Sequence, residues 1–269
     1  MTATWRLLID DRPADGAWNM ALDRALQIAR ECGESPPTLR LYTWASPTVT
    51  LGRFQDVDAV DADVCEIEDI DVVRRFTGGR GVLHDDEITY SMIAGLDENI
   101  PRGTAASYRV LCGGLVEAYR GLGVQAALTS RPRGDSSSAA CYLHATAADL
   151  SLGALKLSGS AQVWHGSTVL QHGSFTVSRD VSREARVFGL CENDETRLAG
   201  QTVTIADSLG RRPSREELLG AIIDGIGRGL GVELVSGTVS AFEDATAHSL
   251  LPSVDVDGPI RRVRVRTSG

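Results

Sequence analysis

Residues 72–91 read VVRRFTGGRGVLHDDEITYS, and this stretch carries the strongest structural signal in the chain. A β-branched segment leads into the adjacent glycines Gly78 and Gly79, and an alternating segment follows them. Paired glycines let the backbone turn sharply and approach a bound group closely. Three arginines flank the turn: Arg74, Arg75 and Arg80. Guanidinium groups suit a carboxylate, a phosphate or a polarised carbonyl, so we predict a strand–turn–strand unit that forms part of a binding site.

The glycine segment differs from the common phosphate-binding loops. A Walker A loop would end in Gly-Lys-Ser/Thr, whereas residues 77–81 read TGGRG. A Rossmann fingerprint would open a helix, whereas the residues after this turn alternate like a strand. Composition alone also allows a glycine hairpin with solvated arginines, so the rest of the chain has to decide.

The composition indicates an ordinary globular protein without a basic or membrane-seeking character. The 269 residues are 42% hydrophobic and 23% charged, and the net charge is -9. A nucleic-acid-binding protein usually has a basic face, so we predict no nucleic-acid partner. No apolar run approaches the roughly 18 residues of a membrane span, and no signal-like segment is recognisable. We therefore predict no membrane contact and a cytoplasmic location.

The five cysteines are widely spaced: Cys32, Cys65, Cys112, Cys141 and Cys191. No CxxC pair occurs, which argues against a zinc ribbon or a thioredoxin-type site, and we predict no metal. Free thiols fit a reducing compartment. Most of them should be small buried hydrophobic residues, so other evidence has to identify a catalytic cysteine.

Hydrophobic periodicity predicts a mixture of strands and helices. Helices are predicted over residues 16–28, 58–65, 104–122, 183–191 and 214–230, with a loop over 131–140. Strands are predicted over residues 5–9, 39–44, 48–51, 71–75, 88–94, 124–128, 150–157, 160–164, 167–171 and 173–177, with 39–44 paired to 48–51. This order favours an α+β (mixed α/β) fold over a doubly wound parallel sheet. We expect one catalytic domain over residues 1–250 and a basic tail or strand over 251–269.

Four segments in this order resemble the biotin/lipoate protein ligase superfamily: Trp18–Asp23, Arg74–His84, Leu155–Gln162 and Leu170–Phe175. The second segment contains an Arg-Arg-x-Thr-Gly-Gly signature followed by a histidine, and the third contains a lysine before Gly-Ser-Ala. The resemblance covers roughly residues 4–235. It implies the biotin/lipoate ligase catalytic-domain fold, with central mixed sheets flanked by helices.

Within that superfamily, the chain is most similar to the octanoyl-carrier-protein:protein N-octanoyltransferases of Gram-positive bacteria. Arg80 follows the paired glycines at a position where lipoate ligases mostly have a third glycine. Cys141 follows a serine-rich segment and precedes Lys156 by fifteen residues, as the nucleophile of that subfamily does. Only 33 residues follow Ser236 (269 minus 236), fewer than the extra C-terminal domain of many lipoate ligases would need.

The resemblance implies an octanoyltransferase of lipoate biosynthesis. It would move an octanoyl, or medium-chain acyl, group from acyl carrier protein to a specific lysine of a lipoyl domain, such as the glycine-cleavage H protein or an E2 subunit. It would need no cofactor. Two alternatives stay open: an ATP-dependent lipoate–protein ligase, which would use ATP and Mg²⁺, and an octanoyl amidotransferase between lipoyl domains. Residues 145–149 keep only the acidic Asp149 of the subfamily's Pro-Ser-x-Tyr-Glu stretch, which leaves the donor open.

The catalytic residues that the resemblance implies are Cys141 and Lys156. Cys141 would carry the acyl group as a thioester. Lys156 is the only lysine in the chain. Its ammonium would favour the thiolate and stabilise the oxyanion, and burial would lower its own pKa so that it accepts the proton of the incoming amine. His144 is a second candidate base.

The remaining predicted site residues would bind substrate. Gly78 and Gly79 would let the backbone wrap the acyl chain, while Arg75 and Arg80 would hold the phosphopantetheine of the carrier or an acidic side chain. The set is completed by His84, Gly159, Ser160, Ala161, His172 and Gly173. Both histidines also fit a hydrogen-bonded structural role. Acidic partners would require an arginine face, which we expect near Arg75, Arg80, Arg131 and Arg133.

Overall fold

The computed structural model describes residues 2–129, 139–143 and 149–256. Within these ranges the strands are β1 (Ala3–Ile9), β2 (Thr38–Tyr42), β3 (Thr48–Leu51), β4 (Asp71–Arg74), β5 (Val82–His84), β6 (Glu87–Gly95), β7 (Ala127–Leu128), β8 (Leu150–Leu152), β9 (Leu155–Ser158), β10 (Ser160–His165), β11 (Thr168–Thr176) and β12 (Val232–Ser236). The α-helices are α1 (Gly16–Glu31), α2 (Ala62–Ile67), α3 (Thr104–Gly121), α4 (Val181–Val187), α5 (Glu192–Gln201), α6 (Ile205–Leu209), α7 (Arg215–Leu230) and α8 (Ala241–Val254). Short 3-10 helices are formed by Val57–Ala59, Leu96–Glu98 and Cys141–Leu143.

The largest layer is a six-stranded mixed sheet in the order β10-β11-β6-β2-β1-β12. Strands β12, β1 and β2 run parallel, whereas β6 is antiparallel to both β2 and β11, and β11 is antiparallel to β10. Two three-stranded sheets accompany it, in the orders β4-β3-β5 and β7-β8-β9. The predicted fold class, mixed sheets flanked by helices, is confirmed.

Helices cover both faces of the large sheet. Successive residues of a strand point to opposite faces. In β1, Leu7 packs in a core that includes residues of α3 and α7, whereas Leu8 packs in a core that includes residues of α1 and α8. Burial of these two apolar faces supplies the main driving force for folding.

Helix α1 also carries a buried polar stripe. Asp15 caps the start of the helix: its carboxylate accepts a hydrogen bond of 2.7 Å from the backbone nitrogen of Trp18. Further along, Asn19, Asp23 and Gln27 recur at a spacing of four residues and are almost fully buried. A buried carboxylate needs partners, and those of Asp23 lead to the functional site.

Three strand predictions are wrong. Strands β2 and β3 do not pair with each other: β2 lies between β6 and β1 in the large sheet, whereas β3 lies between β4 and β5 in a small one. Strands predicted separately over 167–171 and 173–177 form the single strand β11, because Gly173 keeps extended pairing with Tyr90. Conversely, the strand predicted over 150–157 is the hairpin β8–β9, which turns at Gly153 with a φ of 57°.

Two predicted boundaries are wrong. The helix predicted over 183–191 is α4, which already ends at Val187, and Cys191 is the residue that precedes the next helix, α5. The predicted domain boundary at residue 250 falls inside α8, so residues 251–254 form its last turn rather than a tail or strand, and Val254 is buried. Residues 257–269 and most of the predicted loop over 131–140 lie outside the described residues.

Candidate active site

A cavity of about 410 Å³ lies between the large sheet and the small sheet that contains β3 and β5. Ten of the twelve predicted site residues line it: Arg75, Gly79, Arg80, His84, Cys141, Gly159, Ser160, Ala161, His172 and Gly173. Apolar lining comes from Met20, Trp44 and Val82. The cavity therefore combines an apolar volume, which an acyl chain can fill, with a thiol.

Cys141 and Lys156 lie next to each other at this cavity. The Nζ atom of Lys156 is 3.8 Å from Sγ of Cys141 and donates a hydrogen bond of 3.0 Å to its carbonyl oxygen. The same Nζ atom lies 3.1 Å from Oδ2 of Asp149 in a buried ion pair. The predicted pair is thus a group of three residues, and Asp149 is a member that the sequence-based set of site residues lacked.

The charge state of Lys156 differs from the one predicted. Burial lowers the pKa of Lys156, but its electrostatic interactions with Cys141 and Asp149 raise it more, so the pKa stands above its usual range. The expectation of a net drop in this pKa is therefore wrong, because a buried carboxylate compensates for the loss of water. Lys156 is an ammonium at neutral pH.

The glycine-rich turn holds the segment that carries Cys141. The backbone nitrogen of Cys141 donates to the carbonyl oxygen of Gly81 at 2.9 Å, and the nitrogen of Gly81 donates to the carbonyl oxygen of Ala139 at 3.1 Å. Phe188 packs where a side chain at residue 81 would extend, since a Cβ built on Gly81 would be 2.4 Å from its ring. Backbone hydrogen bonds therefore join the turn to the segment that carries Cys141.

Arg75 points into the turn. Its Nη2 atom donates to the carbonyl oxygens of Gly78 at 2.9 Å and Arg80 at 2.8 Å, and its Nη1 atom donates to the carbonyl oxygen of Thr50 at 2.8 Å. The side chain is almost fully buried, and this burial lowers the pKa of Arg75 to about 10. Arg75 therefore shapes the wall of the cavity by ordering backbone carbonyls, while Arg80 lines the cavity as a half-buried side chain.

Both predicted histidines use both of their ring nitrogens within the protein. His84 contacts Thr50 Oγ1 through Nε2 at 3.0 Å and Glu87 through Nδ1 at 2.8 Å. His172 contacts Thr77 Oγ1 through Nε2 at 2.7 Å and Asp23 through Nδ1 at 3.2 Å. These contacts agree with the hydrogen-bonded structural role, and His172 joins the glycine-rich turn to helix α1.

Tyr142 is a second residue near the thiol that sequence reasoning did not select. Its ring lies beneath the Lys156 ammonium at 5.3 Å and stacks on the Arg179 guanidinium at 3.4 Å. Its hydroxyl group lies 3.1 Å from Thr176 Oγ1 on β11. Cation–π contacts of this kind fix the residue that follows Cys141. The only sequence signal was its position directly after the cysteine.

Three of the predicted residues lie outside the described part of the chain: His144, Arg131 and Arg133. Within the described ranges, no cluster of three or more His, Cys, Asp or Glu side chains could hold a metal ion. Among the helices of those ranges, none is long and apolar enough to cross a membrane.

Comparison with known proteins identifies the family. The model of the lipoyl protein ligase A/B catalytic domain matches residues 15–227, so the chain belongs to that family. An octanoyltransferase LipM from Symbiobacterium thermophilum is 36% identical over 263 residues, covering 93% of this chain and 95% of the relative. Another from Kyrpidia tusciae is 36% identical over 265 residues, covering 92% and 95%. A lipoate protein ligase from Thermoplasma acidophilum has a similar fold, with a TM-score of 0.76, 24% identity and coverage of 93% and 92%.

Proposed function

We propose that the chain transfers an octanoyl group from acyl carrier protein to a lysine of a lipoyl domain through a thioester on Cys141. Octanoyltransferase activity in lipoate biosynthesis follows from relatives of the same name that match nearly the full chain. To that activity we add three proposals: the thioester route, the donor and the acceptor. One observation carries them: Sγ of Cys141 lines the cavity 3.8 Å from the ammonium of the only lysine in the chain.

In the first half-reaction, the Cys141 thiolate attacks the carbonyl carbon of the carrier thioester. A bond from Sγ to that carbon forms, and the bond from the carbon to the carrier sulfur breaks. The carrier leaves as a thiolate and takes a proton from water. The Lys156 ammonium stabilises the attacking thiolate. It also stabilises the oxyanion that exists after the new bond forms and before the old bond breaks.

In the second half-reaction, the ε-amino group of the acceptor lysine attacks the acyl-enzyme. A carbon–nitrogen bond forms, the carbon–Sγ bond breaks, and Cys141 returns as a thiolate beside the Lys156 ammonium. The proton lost by the amine passes to solvent, because Lys156 already carries its full complement of protons. Lys156 thus acts through its charge in both steps.

Asp149 maintains that charge. Its carboxylate lies 3.1 Å from Nζ of Lys156, and both side chains are buried. Without a neighbouring anion, a lysine at this depth would lose its proton readily. Asp149 is therefore a positioning residue that keeps Lys156 protonated and directed towards Cys141.

The proposed reaction requires no nucleotide or metal, since the carrier thioester already supplies the activated acyl group. Arg80, at the cavity wall, would contact the phosphopantetheine arm or an acidic side chain of a partner. Acyl carrier protein and lipoyl domains, such as the glycine-cleavage H protein or an E2 subunit, are the proposed partners. We place the reaction in the cytoplasm.

The deciding experiment measures acyl-enzyme formation without ATP. The purified chain is incubated with octanoyl-acyl carrier protein, and intact mass spectrometry should show one octanoyl group added. Cys141→Ala should abolish the adduct, whereas Cys191→Ala, which removes an exposed cysteine, should keep it. Acceptor transfer is then followed on H protein.

Two other outcomes would replace this mechanism. Octanoylation of the acceptor that needs ATP and free octanoate, and survives Cys141→Ala, would make the chain a ligase. An adduct that forms only from octanoylated H protein, and not from acyl carrier protein, would make it an amidotransferase between lipoyl domains. Either result is visible in the same mass spectra.

A further inference from the structure

The loop of residues 52–55 lies at the edge of the cavity. The backbone of Gly52 packs against Gly79, because a Cβ built on Gly52 would be 1.9 Å from the carbonyl oxygen of Gly79. The nitrogen of Arg53 donates to the carbonyl oxygen of Thr77 at 2.9 Å. Gln55 donates through Nε2 to the carbonyl oxygen of Ala139, two residues before Cys141, at 3.1 Å. The loop therefore contacts both the glycine-rich turn and the segment that carries the thiol.

Phe54, at the tip of this loop, is 84% exposed. A single exposed aromatic residue is common on protein surfaces, but this one belongs to an ordered loop. Arg74 holds the loop backbone by donating to the carbonyl oxygens of Gly52 at 3.0 Å and Gln55 at 2.6 Å. The Arg53 guanidinium lies over the Phe54 ring at 5.3 Å. The loop thus presents an apolar ring beside a cation, on a backbone that hydrogen bonds hold in place.

Arg24 of α1 adds a second cation close to Arg53. It lies over the ring of Phe76 at 5.8 Å, and Gln27 accepts a hydrogen bond from it at 2.5 Å. Burial lowers the pKa of Arg24, and the nearby charge of Arg53 lowers it further. In the described part of the chain, neither arginine forms an ion pair with a carboxylate, although Asp56 and Asp58 follow Phe54 in sequence.

The guanidinium groups of Arg24 and Arg53 repel each other, because no carboxylate of the described residues pairs with either of them. This local positive charge contrasts with the net charge of -9 on the whole chain. An anionic partner would remove this repulsion. An exposed aromatic ring beside an arginine is also a composition that protein–protein interfaces favour at their energetic centres. The position at the edge of the cavity directs such a partner towards Cys141.

We propose that Arg24, Arg53 and Phe54, here named the rim patch, form the docking surface for an acidic carrier protein that delivers the acyl thioester. This inference rests on the proposed function, because it assigns the protein part of the donor to this surface. Phe54 is the apolar anchor, and the two arginines match acidic side chains around it. The thioester arm then enters the cavity beside Gly79.

The test compares three octanoyl thioesters in the first half-reaction: octanoyl-acyl carrier protein, octanoyl-phosphopantetheine and octanoyl-pantetheine. Arg53→Glu and Phe54→Ala should each raise the KM for the carrier protein by about tenfold, because they reverse a charge or remove the anchor. Both variants should keep the wild-type rate with the two small thioesters. Arg228→Glu and Phe242→Ala, which change residues on α7 and α8, are the matched controls.

Ionic strength provides a second readout. The wild-type KM for the carrier protein should rise with salt, because salt screens charges at an exposed interface, and Arg53→Glu should flatten this dependence. A flat salt response in the wild type would contradict an electrostatic docking surface.

Other outcomes separate the docking proposal from the proposed function. If Arg53→Glu impaired the reaction equally with octanoyl-phosphopantetheine and with the carrier protein, the arginines would bind the phosphate of the arm. That result would overturn docking of the carrier protein. A loss confined to acceptor transfer from pre-acylated enzyme would assign the rim patch to the acceptor. A wild-type adduct that forms unchanged in both variants would overturn the docking proposal alone, whereas no adduct from any donor would overturn the proposed function with it.

Discussion

The Nζ atom of Lys156 lies 3.1 Å from Oδ2 of Asp149, and the two side chains are only 5% and 3% exposed. On its other side, the same ammonium is 3.8 Å from Sγ of Cys141. A buried ion pair costs desolvation energy that its own attraction barely recovers. Its position beside the thiol therefore fits the proposed role of Lys156 in the reaction.

Asp149→Asn should shift the pH dependence of acyl transfer. Asp149 raises the pKa of Lys156, so removing its charge leaves burial less opposed and lowers that pKa. The ammonium, which persists to high pH in the wild type, would then be lost at lower pH. We expect the alkaline limb of kcat/KM for the first half-reaction to move to lower pH, and Asp149→Glu to restore most of it. A lower rate with an unmoved alkaline limb would mean that Asp149 only supports the local structure.

Lys156→Ala should be destabilising as well as inactive. It leaves the buried Asp149 carboxylate without its cation, which costs about 3 kcal/mol of unfolding free energy. Adding Asp149→Leu to Lys156→Met should recover much of that stability by removing both charges, while activity stays absent. Urea denaturation and the acyl-enzyme assay measure the two properties separately. Activity in the stable double variant would remove Lys156 from the mechanism.

The sequence could predict Cys141 and Lys156 because both are marked locally. The cysteine follows a serine-rich segment, and the lysine is the only one in the chain. The glycine-rich turn was predictable for the same reason, since paired glycines between two strand-like segments strongly favour a sharp turn. Local pattern thus located most of the cavity wall.

Which strands and side chains contact each other was less predictable, because these contacts join residues that are distant in the sequence. Periodicity identified β2 and β3 as strands but could not show that they belong to different sheets. Arg75 looked like a substrate ligand, although backbone carbonyls of its own turn accept its hydrogen bonds. Asp149 was visible as an acidic residue, but its pairing with Lys156 arises only when β8 and β9 fold back on each other.

His172→Gln should make stability less sensitive to acid. Burial lowers the pKa of His172 below its usual value of 6.5, so the folded protein keeps this ring neutral when the unfolded chain binds a proton. The contribution of His172 to stability is therefore fully present above about pH 6.5, and up to about 1.4 kcal/mol of it per pH unit is lost as the pH falls below that value. Urea denaturation from about pH 8 to about pH 5.5 should show a smaller slope in the variant. His248→Gln, at an exposed position, is the control and should keep the wild-type slope.

Gly173, inside β11, and Gly159, between β9 and β10, should respond differently to the same added methyl group. A Cβ on Gly173 would lie 2.5 Å from the carbonyl oxygen of Gly159 and 3.0 Å from the Tyr90 ring, so Gly173→Ala has to push the strands apart. We expect it to cost about 1 to 3 kcal/mol of unfolding free energy, as overpacking does, and to lower kcat/KM because Ser160 moves with β10. Urea denaturation and the acyl-enzyme assay measure these two effects, and wild-type stability in this variant would contradict the predicted clash.

Gly159→Ala tests the space beside the catalytic group without that clash. Its Cβ would lie 3.4 Å from Asp149 Oδ1 and 3.6 Å from Lys156 Nζ, which are ordinary contacts. The unfolding free energy should therefore stay within about 0.5 kcal/mol of the wild type. If the acyl chain passes over this glycine, the methyl group should raise the KM for the octanoyl donor while the alkylation rate of Cys141 by a small reagent stays unchanged. Equal KM values in the wild type and in Gly159→Ala would place the acyl chain along another wall of the cavity.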